Sequence, residues 1–332
     1  MPAFPLRRTL SLSVAATLTF ALAACGSDSD DAPDAGSDDN SSAASGKTIA
    51  LINGVLTGDE SVCAFSGAKH RLDEDGVEWV ESTSAYDVED ELANVNAAIA
   101  QGVDMIFIWS AFPDSAAAEY RAAQAADIPL YLFFNQSESV ADDVLGGAYY
   151  DFKGAGEAAG TWLTENKPDA SIIELTGSLG SGTAEASSAG LDEAIEGSGV
   201  TLAARQDAQW SADEASKYAS SLIPSNPDVS VIVTPNDAMA LSVLRTVSKM
   251  DDADEISVIS TSVSNPDGIA AIEDGSLPYP GYDPLAQYGD QAMTAALDLL
   301  DGGDSERSMF FSPATVDASD PSSLAFCYDE YS

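Results

Sequence analysis

Short apolar segments alternate with longer alanine-rich segments along most of the chain from residue 47 onwards. The apolar segments are rich in β-branched and aromatic residues and predict strands at 48–52, 78–81, 105–109, 130–134, 171–175, 201–204, 230–233 and 256–260. The longer segments have a helical period and predict helices at 88–101, 115–126, 154–166, 182–197, 211–223, 237–249, 266–274 and 285–300. Strands that are apolar throughout and alternate with helices predict a parallel sheet covered on both faces.

This alternation occurs twice, once through Asn135 and again from Ser171 to Ser260. A chain of 332 residues is long enough for two domains of ordinary size. The pattern therefore predicts an α/β protein with two doubly wound lobes. Open α/β sheets bind ligands at the carboxyl ends of their strands, so the expected binding site is the cleft between the lobes.

A segment of different composition precedes the first predicted strand. Arg7-Arg8, an apolar run at 10–21 and small residues before Cys25 have the pattern of an export signal, so residues 1–24 are predicted to be a signal peptide. Leu22-Ala23-Ala24-Cys25 resembles the lipobox of bacterial lipoproteins, which implies an acylated Cys25 and a lipid anchor on the outer face of the cell membrane. A plain signal peptide that happens to contain Cys25 is the alternative. Residues 25–46 are rich in Ser, Asp, Ala and Gly and predict a disordered acidic tether.

The formal net charge of −42 limits the partners of this chain. So acidic a protein repels phosphate backbones, which argues against nucleic-acid binding. Of the three cysteines, Cys63 and Cys327 remain once Cys25 is acylated, and outside the cytoplasm they either form a disulfide or stay as separate buried thiols. His70 is the sole histidine, so a His- or Cys-rich transition-metal site is not expected.

Several short motifs occur in an order and spacing that resemble one protein family. The motifs are Thr48-Ile49-Ala50-Leu51, Asp90-Glu91-Leu92-Ala93-Asn94-Val95, Ala126-Asp127-Ile128-Pro129, Ile173-Glu174-Leu175-Thr176-Gly177, Val233-Thr234-Pro235-Asn236-Asp237-Ala238-Met239-Ala240-Leu241 and Asn265-Pro266-Asp267-Gly268. Together they resemble ribose-type type I periplasmic binding proteins over residues 47–312. The resemblance implies two Rossmann-like lobes joined by a three-stranded hinge that closes on a small ligand. It also implies a binding protein, expected to be a monomer, that hands its solute to an ABC-transporter permease.

The same template is shared by lactose-repressor-type regulators, which carry a DNA-reading headpiece where this chain has a lipobox and a tether. On this template the chain is expected to cross between lobes near Tyr150-Asp151, Asp283-Pro284 and Ser312-Pro313. The expected N-terminal lobe comprises 47–149 plus 284–312, and the expected C-terminal lobe comprises 150–283 plus 313–332. Near two crossings, four tyrosines either line the mouth of the cleft or pack the hinge: Tyr149, Tyr150, Tyr279 and Tyr282.

The resemblance assigns ligand-binding roles to particular residues. Asn236 falls on a ligand-binding asparagine, Trp210 on an aromatic residue that stacks on a sugar ring, and Asp283 on a hinge-side polar residue. Aromatic faces suit the C–H faces of sugars, and a buried hydroxyl without a partner is costly. Each residue has a simpler structural alternative, since Trp210 could pack a core, Asn236 could cap a helix and Asp283 could lie in an exposed turn.

Other positions depart from the sugar-binding members. The loop expected to carry two phenylalanines reads Thr57-Gly58-Asp59-Glu60-Ser61, which leaves stacking on that side to Phe65 or Phe112. Phe134-Asn135 stands in place of an Asp-Arg pair and Ser187 in place of an arginine, which argues against ribose itself as the ligand. A solvated loop charge is the alternative for Glu60, and a buried strand end is the alternative for Phe134. The predicted ligand-binding residues are Glu60, Phe134, Asn135, Asp151, Ser187, Trp210, Asn236 and Asp283.

This predicted site is aromatic and acidic and contains no aligned arginine. An anion would be desolvated beside carboxylates without a cationic partner, so a small neutral sugar or polyol is the expected ligand. A cationic solute and a nucleoside are alternatives, because both bind aromatic faces. No catalytic triad or nucleophile elbow occurs, and the glycine-rich turn at 177–182 lacks the dinucleotide-binding spacing, so neither an enzyme nor a cofactor is expected. A receptor that presents ligand to a sensor kinase is the alternative to transport.

Overall fold

A computed structural model describes residues 46–55, 59–112, 117–136, 139–140, 143–250, 255–315, 327–328 and 331 of the chain. The predicted signal peptide, the predicted lipidation site Cys25 and all but the last residue of the predicted tether lie outside the described residues, as do Thr57 and Gly58. Within the described ranges, no helix is both long enough and apolar enough to cross a membrane.

Strands and helices alternate along the described chain. The strands are β1 Thr48–Asn53, β2 Glu78–Thr83, β3 Met105–Trp109, β4 Leu130–Phe134, β5 Gly146–Tyr150, β6 Ser171–Thr176, β7 Thr201–Asp207, β8 Val231–Thr234, β9 Ser257–Ser260, β10 Gly281–Tyr282, β11 Ser308–Phe311 and β12 Ala314–Thr315. The helices are α1 Asp59–Glu74, α2 Val88–Gln101, α3 Ala117–Ala125, α4 Phe152–Asn166, α5 Thr183–Ile195, α6 Ala212–Leu222, α7 Asp237–Val247, α8 Pro266–Glu273 and α9 Leu285–Leu300.

Polar caps set the beginnings of several helices. The Asp87 carboxylate accepts the backbone N–H groups of Glu89 and Asp90 at the start of α2, which ends at Gly102 in the left-handed conformation, φ 72°. Asn265 caps α8 in the same way, and Pro266 occupies the first turn, where its missing N–H costs nothing. These caps fix where each helix leaves the carboxyl end of the preceding strand, which is where the predicted cleft lies.

The first sheet has six parallel strands in the order β11-β5-β4-β3-β1-β2. Its central strands β3 and β4 are buried along their whole length. Helices α1 and α9 pack on one face around Phe65, Phe107 and Phe133, and α2 and α3 pack on the other face. Helix α9 follows β10 in sequence but packs in the core of the first sheet.

The second sheet has four parallel strands in the order β7-β6-β8-β9. Helices α4 and α5 cover one face through Ala159, Leu163 and Leu191. Helices α6, α7 and α8 cover the other face in a separate apolar cluster. The fold class predicted from the sequence, an α/β protein of two doubly wound halves, is confirmed.

Three chain segments connect the two sheets. The chain leaves the first sheet after β5, returns between β10 and α9, and leaves again after β11, where β12 pairs with β10 in an antiparallel two-stranded ribbon. These places coincide with the expected crossings at Tyr150-Asp151, Asp283-Pro284 and Ser312-Pro313. The lobe boundaries as such stay a prediction, but Cys327 and Tyr328, expected in the C-terminal lobe, are bonded to α1, which packs on the first sheet.

The strands and helices predicted from the sequence are present, with ends that differ by a few residues, but four strands in the described part of the chain were not predicted. Strand β5 begins Gly146-Gly147-Ala148, which has low β-propensity, and β11 has only four residues. Both join the first sheet through tertiary pairing with each other. The sequence interpretation of 57–61 as a loop is wrong at its end, because α1 begins at Asp59 and places Glu60 in its first turn.

The end of the chain is attached to the first helix. Cys63, buried in α1, and Cys327 form a disulfide, with Cα atoms 4.5 Å apart. The Tyr328 ring stacks on His70 with centroids 3.9 Å apart, and the Tyr328 backbone N–H donates to the Ser66 hydroxyl at 3.0 Å. Of the two alternatives left open by the sequence, the structure therefore has the disulfide.

Candidate ligand-binding cleft

A cavity lies between the two sheets, at the carboxyl ends of their strands. It contains about 470 Å³ of space free of protein atoms, including the part open to solvent. From the side of the first sheet it is lined by Glu60, Phe134, Tyr150 and Leu285, and from the second by Phe152, Ala155, Ser187, Trp210, Pro235, Asn236, Thr261, Ser262 and Ser264. A cavity is therefore present where the sequence predicted the binding site.

Stacked aromatic rings form one wall of this cavity. Phe134 stacks on Trp109 with centroids 4.1 Å apart and on Tyr150 with centroids 5.0 Å apart. Phe152 packs edge-on against Tyr150 at 4.8 Å and reaches Trp210 at 6.4 Å. The wall continues from one lobe to the other, and its flat apolar faces suit the C–H faces of a sugar ring.

Two of these aromatic residues have strained backbones. Phe134 has φ 68° and Trp210 has φ 58°, values in the left-handed region that residues with a Cβ rarely adopt. Such conformations cost on the order of 1–3 kcal/mol and tend to occur at functional sites. Phe134 is the last residue of β4, and Trp210 lies in the connection between β7 and α6.

Trp210 is held by the two loops at the end of the second sheet. The Asp207 carboxylate accepts the backbone N–H of Gln209 at 2.9 Å and that of Leu179 at 3.3 Å, so it links the Trp210 loop to the glycine-rich loop. Gly177 lies against the indole, and a Cβ there would stand within 2.6 Å of the Trp210 Cδ2 atom. Gly177 thus allows the ring to lie close to the backbone. Trp210 is half-buried at the cavity and is not a core residue.

Asn236 lines the cavity and caps α7. Its Oδ1 accepts the backbone N–H of Met239 at 2.9 Å, and its exposed fraction is 9%. Because Oδ1 is used by the cap, the Nδ2 amino group is the part of the side chain left for a ligand. The helix cap and the predicted ligand contact are therefore compatible.

Asp283 is buried behind the cavity and does not line it. The Tyr150 hydroxyl donates to both carboxylate oxygens at 3.0 Å, and the Ser262 hydroxyl donates to one of them. Burial raises the pKa of Asp283 to about 7, against the lowering effect of these two hydrogen bonds. The expected alternative of an exposed turn does not hold, since Asp283 is 1% exposed.

Two other predicted site residues do not line the cavity. The Asn135 amide donates to the backbone carbonyl of Ser110 at 2.8 Å. The Asp151 carboxylate accepts the backbone N–H of Gly154 at 2.8 Å and caps α4. Both side chains bind backbone groups of the loops around the cleft, so they shape it without reaching its interior.

Of the two phenylalanines considered for stacking beside Glu60, neither lines the cavity. Phe65 is fully buried in the core, edge-on to Phe107 and Phe133. Phe112 is 40% exposed and packs edge-on against Tyr86 at 6.3 Å. Glu60 lines the cavity in the place of such rings, and Ser187, 7% exposed on α5, lines it from the opposite lobe.

The sequence analysis missed the lining residues that follow β8 and β9. Pro235, Thr261, Ser262 and Ser264 all stand in turns at the carboxyl ends of these strands. The rule that parallel sheets bind ligands at those ends would have selected them. Phe152 was missed because it opens a helix directly after a strand that the sequence did not predict.

The charges at the cavity are negative. Among the described lining residues, Glu60 is the acidic residue, and no lysine, arginine or histidine is present. A bound anion would therefore lack a cationic partner.

One group of residues elsewhere could bring ligand atoms close to a metal ion. His70, Glu74 and Asp290 each offer an atom within 4.8 Å of the others. Arg71 already pairs with both carboxylates, at 3.0 Å to Glu74 and 3.1 Å to Asp290. Both carboxylates thus already have a cationic partner, and the single guanidinium offsets one of their two charges.

A buried pair of carboxyl groups lies between α2 and α3. Glu91 and Glu119 are 3% and 1% exposed. Burial raises the pKa of both, and for Glu119 the neighbouring Glu91 raises it further. Burial and the neighbouring Glu91 therefore favour the protonated form of Glu119 in the folded chain.

Comparison with known proteins agrees with this architecture. The profile of the periplasmic binding protein domain family matches residues 49–304, most of the chain. The ribose import binding protein RbsB of Salmonella typhimurium is 28% identical over 264 residues, which cover 76% of this chain and 83% of the relative.

Solved structures of solute-binding proteins have the same fold. A protein of Mycobacterium smegmatis with bound glycerol superposes with a TM-score of 0.75 at 21% identity, covering 85% of this chain and 99% of that one. A protein of Bacillus halodurans with bound myo-inositol gives a TM-score of 0.75 at 17% identity, covering 83% and 96%. The match of the family profile across both sheets and the cleft shows that this chain belongs to the periplasmic binding protein domain family.

Proposed function

We propose that this chain is an extracytoplasmic solute-binding protein, and not an enzyme, that captures a small neutral sugar or polyol in the cleft and delivers it to an ABC permease. The observation that carries the proposal is the cleft itself, in which aromatic rings from both lobes stand beside Asn236, Ser187 and Thr261. Flat apolar faces and neutral polar groups complement a ring that has C–H faces and hydroxyl edges. The relative named for ribose import supports transport as the role.

The chemistry of the cleft supports an uncharged ligand. The lining includes the acidic residue Glu60, and its described residues include no lysine, arginine or histidine, which disfavours phosphorylated or carboxylated sugars. The absence of the Asp-Arg pair at Phe134-Asn135 supports a ligand other than ribose.

A thermal-shift screen tests this proposal. The probes are D-ribose, D-allose, D-fucose, myo-inositol and glycerol, with a nucleoside and a quaternary amine as the competing classes. A ligand at 100 times its Kd stabilises the folded form by about 2.7 kcal/mol, so a true ligand raises the melting midpoint clearly. The proposal requires that a neutral sugar or polyol gives the largest shift and that Trp210→Ala lowers this shift without abolishing it. A shift with only the nucleoside or the amine would overturn it.

We also propose that Cys25 carries lipid and that residues 25–46 tether the two lobes to the membrane. The support is the Leu22-Ala23-Ala24-Cys25 sequence after an apolar run. Two or three acyl chains anchor a protein durably, whereas one chain is marginal. In a bacterial host that processes lipoproteins, the wild-type chain should sediment with membranes and partition into detergent. Cys25→Ala should leave it in the soluble or unprocessed fraction, and equal partitioning of both would refute the anchor.

A further inference from the structure

One carboxylate is buried where the chain returns from the second sheet to the first. Asp283 follows β10 and precedes α9, and its backbone N–H donates to the carbonyl of Val263 at 2.8 Å. Its side chain accepts the Tyr150 hydroxyl from β5 and the Ser262 hydroxyl from the turn after β9. Asp283 therefore bonds to one group from each sheet.

The groups around Asp283 are acids or weak acids. The titratable groups that face it are Tyr150 on β5, Tyr279 and Tyr282 at β10, Tyr288 on α9 and Asp237 on α7. Among the described residues, the groups that act on its pKa include no lysine, arginine or histidine. The negative charge of Asp283 is therefore held by hydroxyl donors, and those donors must point towards it.

This orientation has a consequence for the cavity, because Tyr150 and Ser262 also line it. A hydroxyl has one proton to donate and two lone pairs that accept. When its proton is directed at Asp283, only the lone pairs remain for a ligand. A ligand group that reaches either hydroxyl from the cleft then meets an acceptor.

We propose that Asp283 is a positioning residue that turns the Tyr150 and Ser262 hydroxyls into acceptors, so that this end of the cleft selects ligands that present hydrogen-bond donors there. The inference rests on the proposed binding of a sugar or polyol. It adds that one part of the site offers hydrogen-bond acceptors to the ligand. Asp283 acts through its two neighbours and does not touch the ligand. A sugar hydroxyl can donate a hydrogen bond to these acceptors, whereas a fluorine, ether or carbonyl group at the same place cannot.

The ionisation of Asp283 provides a readout that a purely structural role would lack. The pKa of Asp283 is about 7, so the carboxylate gains a proton as the pH falls through neutrality. The protonated carboxyl can donate to one of its partners, which releases that hydroxyl to donate into the cleft. Affinity for a ligand donor at this place should therefore be greatest above pH 7 and decline below it.

The experiment is a calorimetric titration of D-allose, D-fucose and myo-inositol and of their derivatives in which fluorine replaces one hydroxyl at a time. Titrations run from about pH 5.5 to about pH 8.5, on either side of the Asp283 pKa of about 7. The proteins are wild type, Asp283→Asn and Ser262→Ala. Asp104→Asn is the matched control, because Asp104 lies at the opposite end of β3 and binds the backbone of Thr48. The melting midpoint of each variant checks folding.

In the wild type at high pH, the fluorine substitution that removes the donor facing this pair should weaken binding about three- to tenfold, the effect of one hydrogen bond. The same protein should lose a similar factor in affinity for the parent sugar as the pH falls below 7. Asp283→Asn should flatten the pH profile and shrink the fluorine penalty, and Asp104→Asn should change neither. If Asp283→Asn does not fold, Ser262→Ala should still shrink the penalty, because one of the two oriented hydroxyls is gone.

Two results would overturn the inference. A wild-type profile that is flat across neutral pH, or an Asp283→Asn profile identical to the wild type, contradicts the orienting role while sugar binding stands. Failure of every parent probe to bind at any pH refutes the proposed function and this inference with it. The parent sugars therefore separate failure of the function from failure of the positioning role.

Discussion

Gly177→Ala tests whether the position of the Trp210 indole determines ligand affinity. The new methyl group would lie 2.6 Å from indole Cδ2 and close to two further ring atoms, whereas ordinary carbon contacts are at about 3.5–4.0 Å. Gly177 does not have a positive φ, so its backbone accepts alanine. The indole, which lines the cleft, must therefore move by about 1 Å or more.

The size of the effect follows from overpacking. Forcing an extra methyl group into a packed contact costs about 1–3 kcal/mol. If ligand binding loses this free energy, the Kd rises by roughly 5- to 150-fold. Trp210 is only half-buried, so the indole can move outward and the free energy of unfolding should change little. Isothermal titration with the sugar that gives the largest thermal shift measures the Kd, and urea unfolding measures the stability.

A double-mutant cycle provides the control. In the Trp210→Ala background the methyl group at residue 177 meets no ring, so Gly177→Ala should then have no further effect on affinity. Additive effects of the two substitutions would refute the reasoning, because they would mean that Gly177 acts on the ligand independently of Trp210. An unchanged Kd in the single variant would refute it as well.

Three further predictions concern the cleft and the stability of the first lobe. Phe134→Ala should weaken sugar binding at least tenfold in a calorimetric titration, because it removes the ring that stacks between Trp109 and Tyr150; binding equal to wild type would contradict a role for this wall. Compared with the wild type, the Glu119→Gln variant should be increasingly resistant to urea as the pH rises. An unfolded glutamate ionises near 4.5, whereas burial keeps Glu119 protonated in the folded chain, so wild-type stability declines with pH by at most about 1.4 kcal/mol per unit. A wild-type-minus-variant difference that does not change from mildly acidic to alkaline pH would show that Glu119 is ionised when folded. Cys327→Ser should lower the free energy of unfolding by about 2–4 kcal/mol, the usual effect of a native disulfide, and should abolish the sensitivity of the melting midpoint to reductant. A wild-type midpoint that reductant does not change would contradict the role of this bond.

Local pattern predicted most of the fold, and the missed strands show its limit. The runs Met105–Trp109 and Leu130–Phe134 are apolar throughout, as expected of strands buried on both faces, and they form the centre of the first sheet. Gly146–Tyr150 begins with two glycines and an alanine, so nothing local favours a strand there. Its pairing with Ser308–Phe311, far away in sequence, is a tertiary effect.

The candidate site was predictable in position but not in side-chain direction. The structure brings Glu60, Phe134, Ser187, Trp210 and Asn236 to one cavity, and their contact with a ligand stays a prediction. Motif alignment places a residue at a strand end but does not reveal which local donor or acceptor its side chain will bind.

The polar residues outside the cavity illustrate this physical limit. Asn135 and Asp151 bind nearby backbone groups, which short polar side chains do readily in turns and at helix starts. Asp283 is turned inward by hydroxyls that come from distant parts of the chain, Tyr150 and Ser262. A sequence holds no local sign of such partners.

A crystal structure of the protein with the neutral sugar or polyol that gives the largest thermal shift would show directly whether the cleft is the binding site. We expect one ligand ring in the cleft, with a C–H face on Trp210 or Phe134 and a hydroxyl within hydrogen-bond distance of the Asn236 Nδ2 atom. A ligand bound elsewhere on the molecule, or bound in the cleft without contact to Trp210, Phe134 and Asn236, would contradict this expectation.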